Sequence, residues 1–196
     1  MDFAENYAFV VQDEVQGFHW NKSQCTLHPV VLYYKKLNPD SQQLELKSHS
    51  LCFISDDLNH DSGFVFAVQC KVNEIIPSII PTEIKKLHYF SDNCGGQYKN
   101  FKVMVNLTFH FKDFNRLASW IFFAACHGKS PCDGIGGTAK RCLTRESLSR
   151  PTGDHILTAE DAFKFCNDTI HGIHFIFLNQ LYVDEKRTFM QTKRNV

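Results

Sequence analysis

Lys86 to Asn100 reads KLHYFSDNCGGQYKN, and its abrupt change of character decides how the chain is organised. Lys86 to Ser91 is a compact aromatic strand. The run Asp92-Asn93-Cys94-Gly95-Gly96 that follows is turn chemistry, rich in residues that leave the extended conformation easily. From Asn100 to Phe111, Phe101, Met104, Val105 and Thr108 recur at the three-and-four spacing of a helix. A strand that passes through a glycine turn into a helix is a building unit of α/β sheets.

Upstream of this unit the chain reads as three strands and a helix. Phe3 to Val11 is short and aromatic, His28 to Lys35 is rich in Val and Tyr, and Leu44 to Ile54 alternates before closing on Ser55-Asp56-Asp57. The turn residues Asn38-Pro39-Asp40-Ser41 separate the second from the third, which suggests an antiparallel meander. Apolar residues from His60 to Ile76 keep the helical period until Pro77 and Pro81 end it.

Downstream, Trp120 to Ala125 (WIFFAA) lacks polar alternation and predicts a strand covered on both faces. Gly136 to Leu148 predicts a surface helix after a glycine-rich entry, broken at Pro151. Thr158-Ala159-Glu160-Asp161 is a helix N-cap with acids in the first turn, leading into Ala162 to Cys166. If that helix continued to Phe177, His171 and His174 would share a face. The segment from Tyr182 is polar and reads as a frayed end.

Three strands followed by two more reached through helices predict a mixed α/β sheet with helices on both faces. With 196 residues, 43% of them hydrophobic, one core is the natural size. Lys plus Arg number 21 and so do Asp plus Glu, which excludes a global field drawing the chain to nucleic acid or lipid. No apolar run is long enough to span a bilayer and the first residues do not have the order of a secretion signal, so an intracellular protein with free thiols is expected.

Three acids stand at special points: Asp2 opens the first strand, Asp92 follows the fourth, and Asp133 begins the turn into a later helix. They are 90 residues (92 minus 2) and 41 residues (133 minus 92) apart. Clustered carboxylates suit hard divalent ions, and a pair of such ions activates water or a 3′ hydroxyl in phosphodiester chemistry. Around them, Gly95 and Gly96 permit close backbone approach, and Gln97, Lys99 and Asn100 are placed to meet phosphate or simply to complete a turn. His127 and Lys129 follow the buried strand, where they would neutralise phosphate charge or face solvent. Lys140, Arg141 and Arg145 make either a DNA-facing strip or a solvated helix face.

The words DFAENY (2–7), FSDNCGGQYKN (90–100) and HGKSPCDGIGG (127–137) resemble blocks of transposase-derived proteins with a ribonuclease H-like DDE/D core. That resemblance covers 1–150 and implies a ribonuclease H-like mixed sheet, a metal-binding triad of Asp2, Asp92 and Asp133 holding Mg²⁺ or Mn²⁺, DNA as substrate, and a nuclear setting. An additional helical segment (151–181) and a polar tail (182–196) then follow the core. In that family several apolar residues precede the first Asp, whereas here only Met1 does, so the first strand is expected to be truncated. No zinc finger, helix-turn-helix or basic arm is visible. A domesticated remnant that cuts DNA weakly or not at all, or serves as a binding module, as a homo-oligomer or with a protein partner, is therefore expected beside the enzyme reading.

Two further arrangements compete. Cys94, Cys126, Cys132 and His127 would gather at one end of the sheet, as a zinc site without a C-x-x-C pair. Cys126 beside His127 also invites a thiol nucleophile, but neighbours on a strand end point opposite ways.

Overall fold

The computed structural model describes residues 1–10, 23–123, 130–151 and 154–194. Its scaffold is a long hairpin, β2 (Gln24–Leu37) against β3 (Leu44–Ser55), paired antiparallel from Thr26↔Ser55 to Leu37↔Leu44. At its turn the Asn38 side chain accepts from the Asp40 N–H at 2.9 Å, as the Asn-Pro-Asp-Ser sequence predicts. β1 itself is confined to Tyr7–Ala8. The residues before it nevertheless follow β2, because the Asp2 N–H donates to the Pro29 carbonyl (3.2 Å) and the Ala4 N–H to that of Leu27 (3.0 Å). Three steps from Ala4 to Tyr7 then span two from Leu27 to Cys25, the count of a β-bulge. Val11, the last residue of the expected strand, lies outside the described residues.

On the far side of β3, β6 (Ile173–Leu178) pairs in parallel from Ser50↔Ile173 to Ser55↔Leu178, giving the order β1-β2-β3-β6. The helical alternative for this segment is corrected here. Helix α5 (Ala159–Thr169) stops, Gly172 turns the chain at φ 84°, and the aromatic and β-branched run Ile173-His174-Phe175-Ile176-Phe177 is extended. His171 and His174 therefore share no helix face.

A single mixed sheet of five strands is also corrected. β4 (Lys86–Ser91) and β5 (Leu117–Phe122) form a separate parallel pair, with Lys86↔Leu117 and Ser91↔Phe122 at its ends. The amino group of Met1, which donates to the Phe90 carbonyl at 2.8 Å, joins it to the first sheet. β5 is less covered than its composition suggests: Leu117 and Ile121 stay exposed at this sheet edge. Ala124 and Ala125, the end of the expected strand, lie outside the described residues.

Helices cover both faces of the larger sheet, and strand alternation sorts the side chains between them. Cys25, Leu27, Cys52, Ile54 and Phe175 pack under α4 (Pro131–Ser149) and α5, while Val30, Leu51, Phe53 and Leu178 pack under α1 (Ser62–Ile79). Asp61 caps α1 by accepting from the Phe64 N–H at 2.9 Å. Contrary to expectation, Pro77 does not end this helix but sits in its last turn. Proline there has no N–H for the Asn73 carbonyl, and Arg116 supplies the missing donor at 3.2 Å. The helix expected over 100–111 is broken into α2 (Phe101–Thr108) and α3 (His110–Phe114).

α4 starts five residues before the expected Gly136 (136 minus 131), so its glycines lie inside the helix and do not lead into it. Ser130 and Asp133 form a capping box that fixes this earlier start. The expected polar tail is in fact α6 (Gln180–Arg194). Buried Val183 and Met190 hold it against the core, and Arg187 ties it down by donating to Asp61 (2.8 Å), to fully buried Asp57 (2.6 Å) and to Asp184. The hydrogen bonds to Asp61 and Asp57 outweigh the effect of burial and hold the guanidinium proton more tightly than usual.

Candidate functional site

Asp2, Asp92 and Asp133 come from three separated segments, each fixed by local structure. Asp2 shares a strand face with Ala4, the face that α4 covers. A β-carbon on Gly136 would lie 3.0 Å from that of Ala4, so α4 approaches the first strand here more closely than a larger residue would sit without a shift of a few tenths of an ångström. Asp133 is one turn earlier on the same helix, which brings it alongside Asp2. One of its carboxylate oxygens, Oδ2, accepts from the Ser130 N–H at 3.0 Å. Asp92 leaves the end of β4 in a tight turn in which its Oδ1 accepts from the Cys94 N–H at 3.0 Å. Trp120 steadies that strand end through a 2.9 Å bond from Nε1 to Ser91 Oγ.

Asp2 senses the other two acids. Burial raises the Asp2 pKa above the usual carboxylate value, and the charges of Asp92 and then Asp133 raise it further, against the opposing pull of the Met1 amino group. Beneath them lies a pair that the sequence did not single out. Tyr98 is fully buried and shares a 2.9 Å hydrogen bond with the Nε2 of His28, itself fully buried. Burial, then the charges of Asp2 and Asp92, hold the Tyr98 phenol well above its ordinary pKa; burial keeps His28 well below its own, and both shifts favour the neutral ring. Phe3, packed edge-on to His28 at 4.4 Å, links this pair to the strand that carries Asp2. Tyr98 lay inside the motif word, between the more obviously polar Gln97 and Lys99.

Carboxylate oxygens are the donors that a hard divalent cation prefers. As they stand, however, the described residues contain no group of three or more His, Cys, Asp or Glu side chains arranged to hold a metal ion. Asn100 is engaged at both ends, capping α2 through Val103 (3.0 Å) and donating to the Gly95 carbonyl (2.9 Å). Lys99 is exposed, with its ammonium 5.5 Å from the Phe122 ring centre, and Gln97 is half-buried in the same turn. Expected His127 and Lys129 lie outside the described residues, as does Cys126. Of the other thiols in the zinc alternative, Cys94 is partly exposed, whereas buried Cys132 donates to the Pro29 carbonyl at 3.6 Å. Arg141 and Arg145 face solvent on α4, and Lys140 is half-buried.

A family model described as a domain of unknown function (DUF8701) matches residues 1–195. No curated protein and no solved structure matches the chain. Among the described residues no helix is long and apolar enough to cross a membrane.

Proposed function

The chain belongs to the DUF8701 family of domains of unknown function, and we propose that it is a ribonuclease H-like domain of transposase descent whose Asp2, Asp92 and Asp133 are the remains of a metal-dependent phosphoryl-transfer site. The observation that carries this reading is that the Met1–Phe90 bond and the Ala4–Gly136 contact bring the segment of Asp2 to the end of β4 that leads into Asp92 and to the first turns of α4, which carry Asp133, positions remote in sequence. Support comes also from the antiparallel β1-β2-β3 arrangement, the parallel β4-β5 pair and the contact between Met1 and Phe90 that joins them.

In this reading Asp2, Asp92 and the free oxygen of Asp133 hold Mg²⁺ or Mn²⁺, which would activate a nucleophile and stabilise the leaving oxygen on DNA. Lys99 and Gln97 lie in the turn that follows Asp92, from which they would meet a phosphate. The buried Tyr98 and His28 position the strand ends beneath the carboxylates. The capping bond engages one Asp133 oxygen in holding the start of α4 and leaves less of the carboxylate for an ion, which favours weak ion binding and little or no cutting, as in a domesticated, nuclear remnant that works by binding DNA or protein.

The test is a Mn²⁺ titration followed by carboxylate NMR shifts, with cleavage of labelled DNA measured in parallel. Asp92→Asn is the comparison because an amide oxygen preserves the turn to Cys94 while removing the charge. Weak Mn²⁺ binding that disappears in Asp92→Asn is expected. Binding that survives the substitution would sink the triad, and strong Mn²⁺-dependent cutting lost in the variant would overturn the remnant part of the reading.

A further inference from the structure

His49 on β3 and His174 on β6 stand on the sheet face that α1 covers: Leu51, registered opposite His174, packs under that helix, and His49 keeps its parity. The two rings meet edge to face, with centres 5.9 Å apart and planes at 89°. Their meeting has a local cause. One step before the Ser50↔Ile173 pair, His49 comes opposite Gly172, which puts no side chain beside it and turns the chain at φ 84°. Nothing lies within 4 Å of the β-carbon that this glycine lacks, so the His174 ring is free to lean along the strand toward His49.

Other histidines of the fold have hydrogen-bond partners. His28 meets Tyr98, His60 meets Asn6, His88 meets Ser119 and His110 meets Tyr89. For His49 and His174 the described residues offer no such bond, and the Nε2 of His49 is nevertheless shielded from solvent. Leu32, opposite His49 on β2, adds nothing polar. A buried nitrogen without a partner calls for an explanation. Burial, then the charge of His174, holds the His49 pKa below its ordinary value, so near neutral pH its ring keeps a lone pair to give.

We propose that His49 and His174 form a metal site of their own, which takes a borderline divalent ion such as Zn²⁺ or Cu²⁺ with one nitrogen from each ring and water in the remaining positions. Imidazole suits these ions, whereas the hard Mg²⁺ or Mn²⁺ of the carboxylate reading prefers oxygen. With a metal–nitrogen bond of about 2.1 Å the ion lies about 3.2 Å from each ring centre, so two rings share it only within about 6.4 Å of each other. The observed 5.9 Å is inside that limit. Turning the rings about their soft outer torsions then aims both nitrogens at one point. No third His, Cys, Asp or Glu completes a cluster among the described residues, which leaves coordination positions open to water. Bound there, the ion would staple β6, at the edge of its sheet, to β3. This inference does not depend on the carboxylate site.

The probe is Zn²⁺ alone, titrated into the full chain and followed by the histidine ring signals in ¹H–¹⁵N spectra, with thermal unfolding alongside. Saturable shifts of the His49 and His174 rings and a rise in Tm are expected. His174→Gln alters an exposed position and leaves the core intact, so it decides the matter even if His49→Gln fails to fold. Either variant should abolish the response. His171→Gln, at an exposed histidine in the preceding turn, and Asp92→Asn should both keep it. A response that survives His174→Gln would assign the ion to other ligands and overturn the proposal. So would no response, or loss in His171→Gln to the same degree, which marks an adventitious surface ion only.

Discussion

Gly136 on α4 and Ala4 beside β2 are packed so closely that a β-carbon added to the glycine would come within 3.0 Å of the alanine methyl. This contact sets the distance between the helix carrying Asp133 and the segment carrying Asp2. Gly136→Val must push the two apart, and overpacking of this kind costs about 1–3 kcal/mol. Urea unfolding should show that loss, and Ala4→Gly in the same chain should restore much of it by returning the space. Equal losses in single and double variants would mean that the contact does not control the spacing.

Arg187 is the clamp of the C-terminal helix. Its fork meets Asp57, which is fully buried, together with Asp61 and Asp184, and its stem lies where a β-carbon on Gly63 would come within 2.8 Å. Removing the cation leaves the Asp57 carboxylate buried without its partner, a change that typically costs about 3–5 kcal/mol. Arg187→Met is therefore expected to lower stability by that order and to speed amide exchange throughout α6. Arg187→Met combined with Asp57→Asn should recover part of the loss. Protected α6 amides in Arg187→Met would refute the clamp.

Elements whose signals are local were legible in the sequence. The β2-β3 hairpin follows from alternation around Asn-Pro-Asp-Ser, and α5 from the Thr158 cap. What escaped depended on contacts remote in sequence. Ile173 to Leu178 is too short for its period to decide between strand and helix, and only pairing with β3 settles it. α6 looks frayed because its anchor is the ion cluster with Asp57 and Asp61, more than a hundred residues away. The glycines of α4 suggest a loop, yet Gly136 is inside the helix to admit Ala4. For the site, the positions of the three aspartates were visible as strand ends and turns. The His28–Tyr98 pair was hidden because a strand histidine and a tyrosine become partners only when two sheets meet.

His28 supplies the pH dependence. Burial holds its folded pKa well below the ordinary 6.5, so the unfolded chain binds the proton more readily. Stability tied to the neutral ring is complete above about pH 6.5 and drains away as pH falls below it. His49 and His60 are lowered as well, chiefly by burial, and add to the slope in the same direction. Denaturant midpoints measured from pH 8 to 5 should fall for the parent chain and fall less steeply for His28→Gln. Parallel curves would show that His28 is charged in the fold.

Asp2 has the opposite sign. Its folded pKa is raised by burial and by Asp92 and Asp133, so its favourable contribution is complete below the ordinary carboxylate value of 3.8 and is lost as pH rises through the folded value. At neutral pH the site therefore costs stability. Replacing Asp92 with Asn removes one repelling charge and keeps the oxygen that accepts from Cys94, so the Asp2 pKa should fall toward 3.8. The variant should gain up to about 1 kcal/mol near pH 7, the size of a like-charge contact in a water-like medium. At low pH, where Asp2 is protonated in both chains, the gain should shrink. Carboxyl NMR titration with urea unfolding at two pH values reads both effects, and an unchanged Asp2 titration would mean that the two acids do not share a site. A divalent cation should act on the parent chain in the same sense, lowering the Asp2 pKa by offsetting the same repulsion.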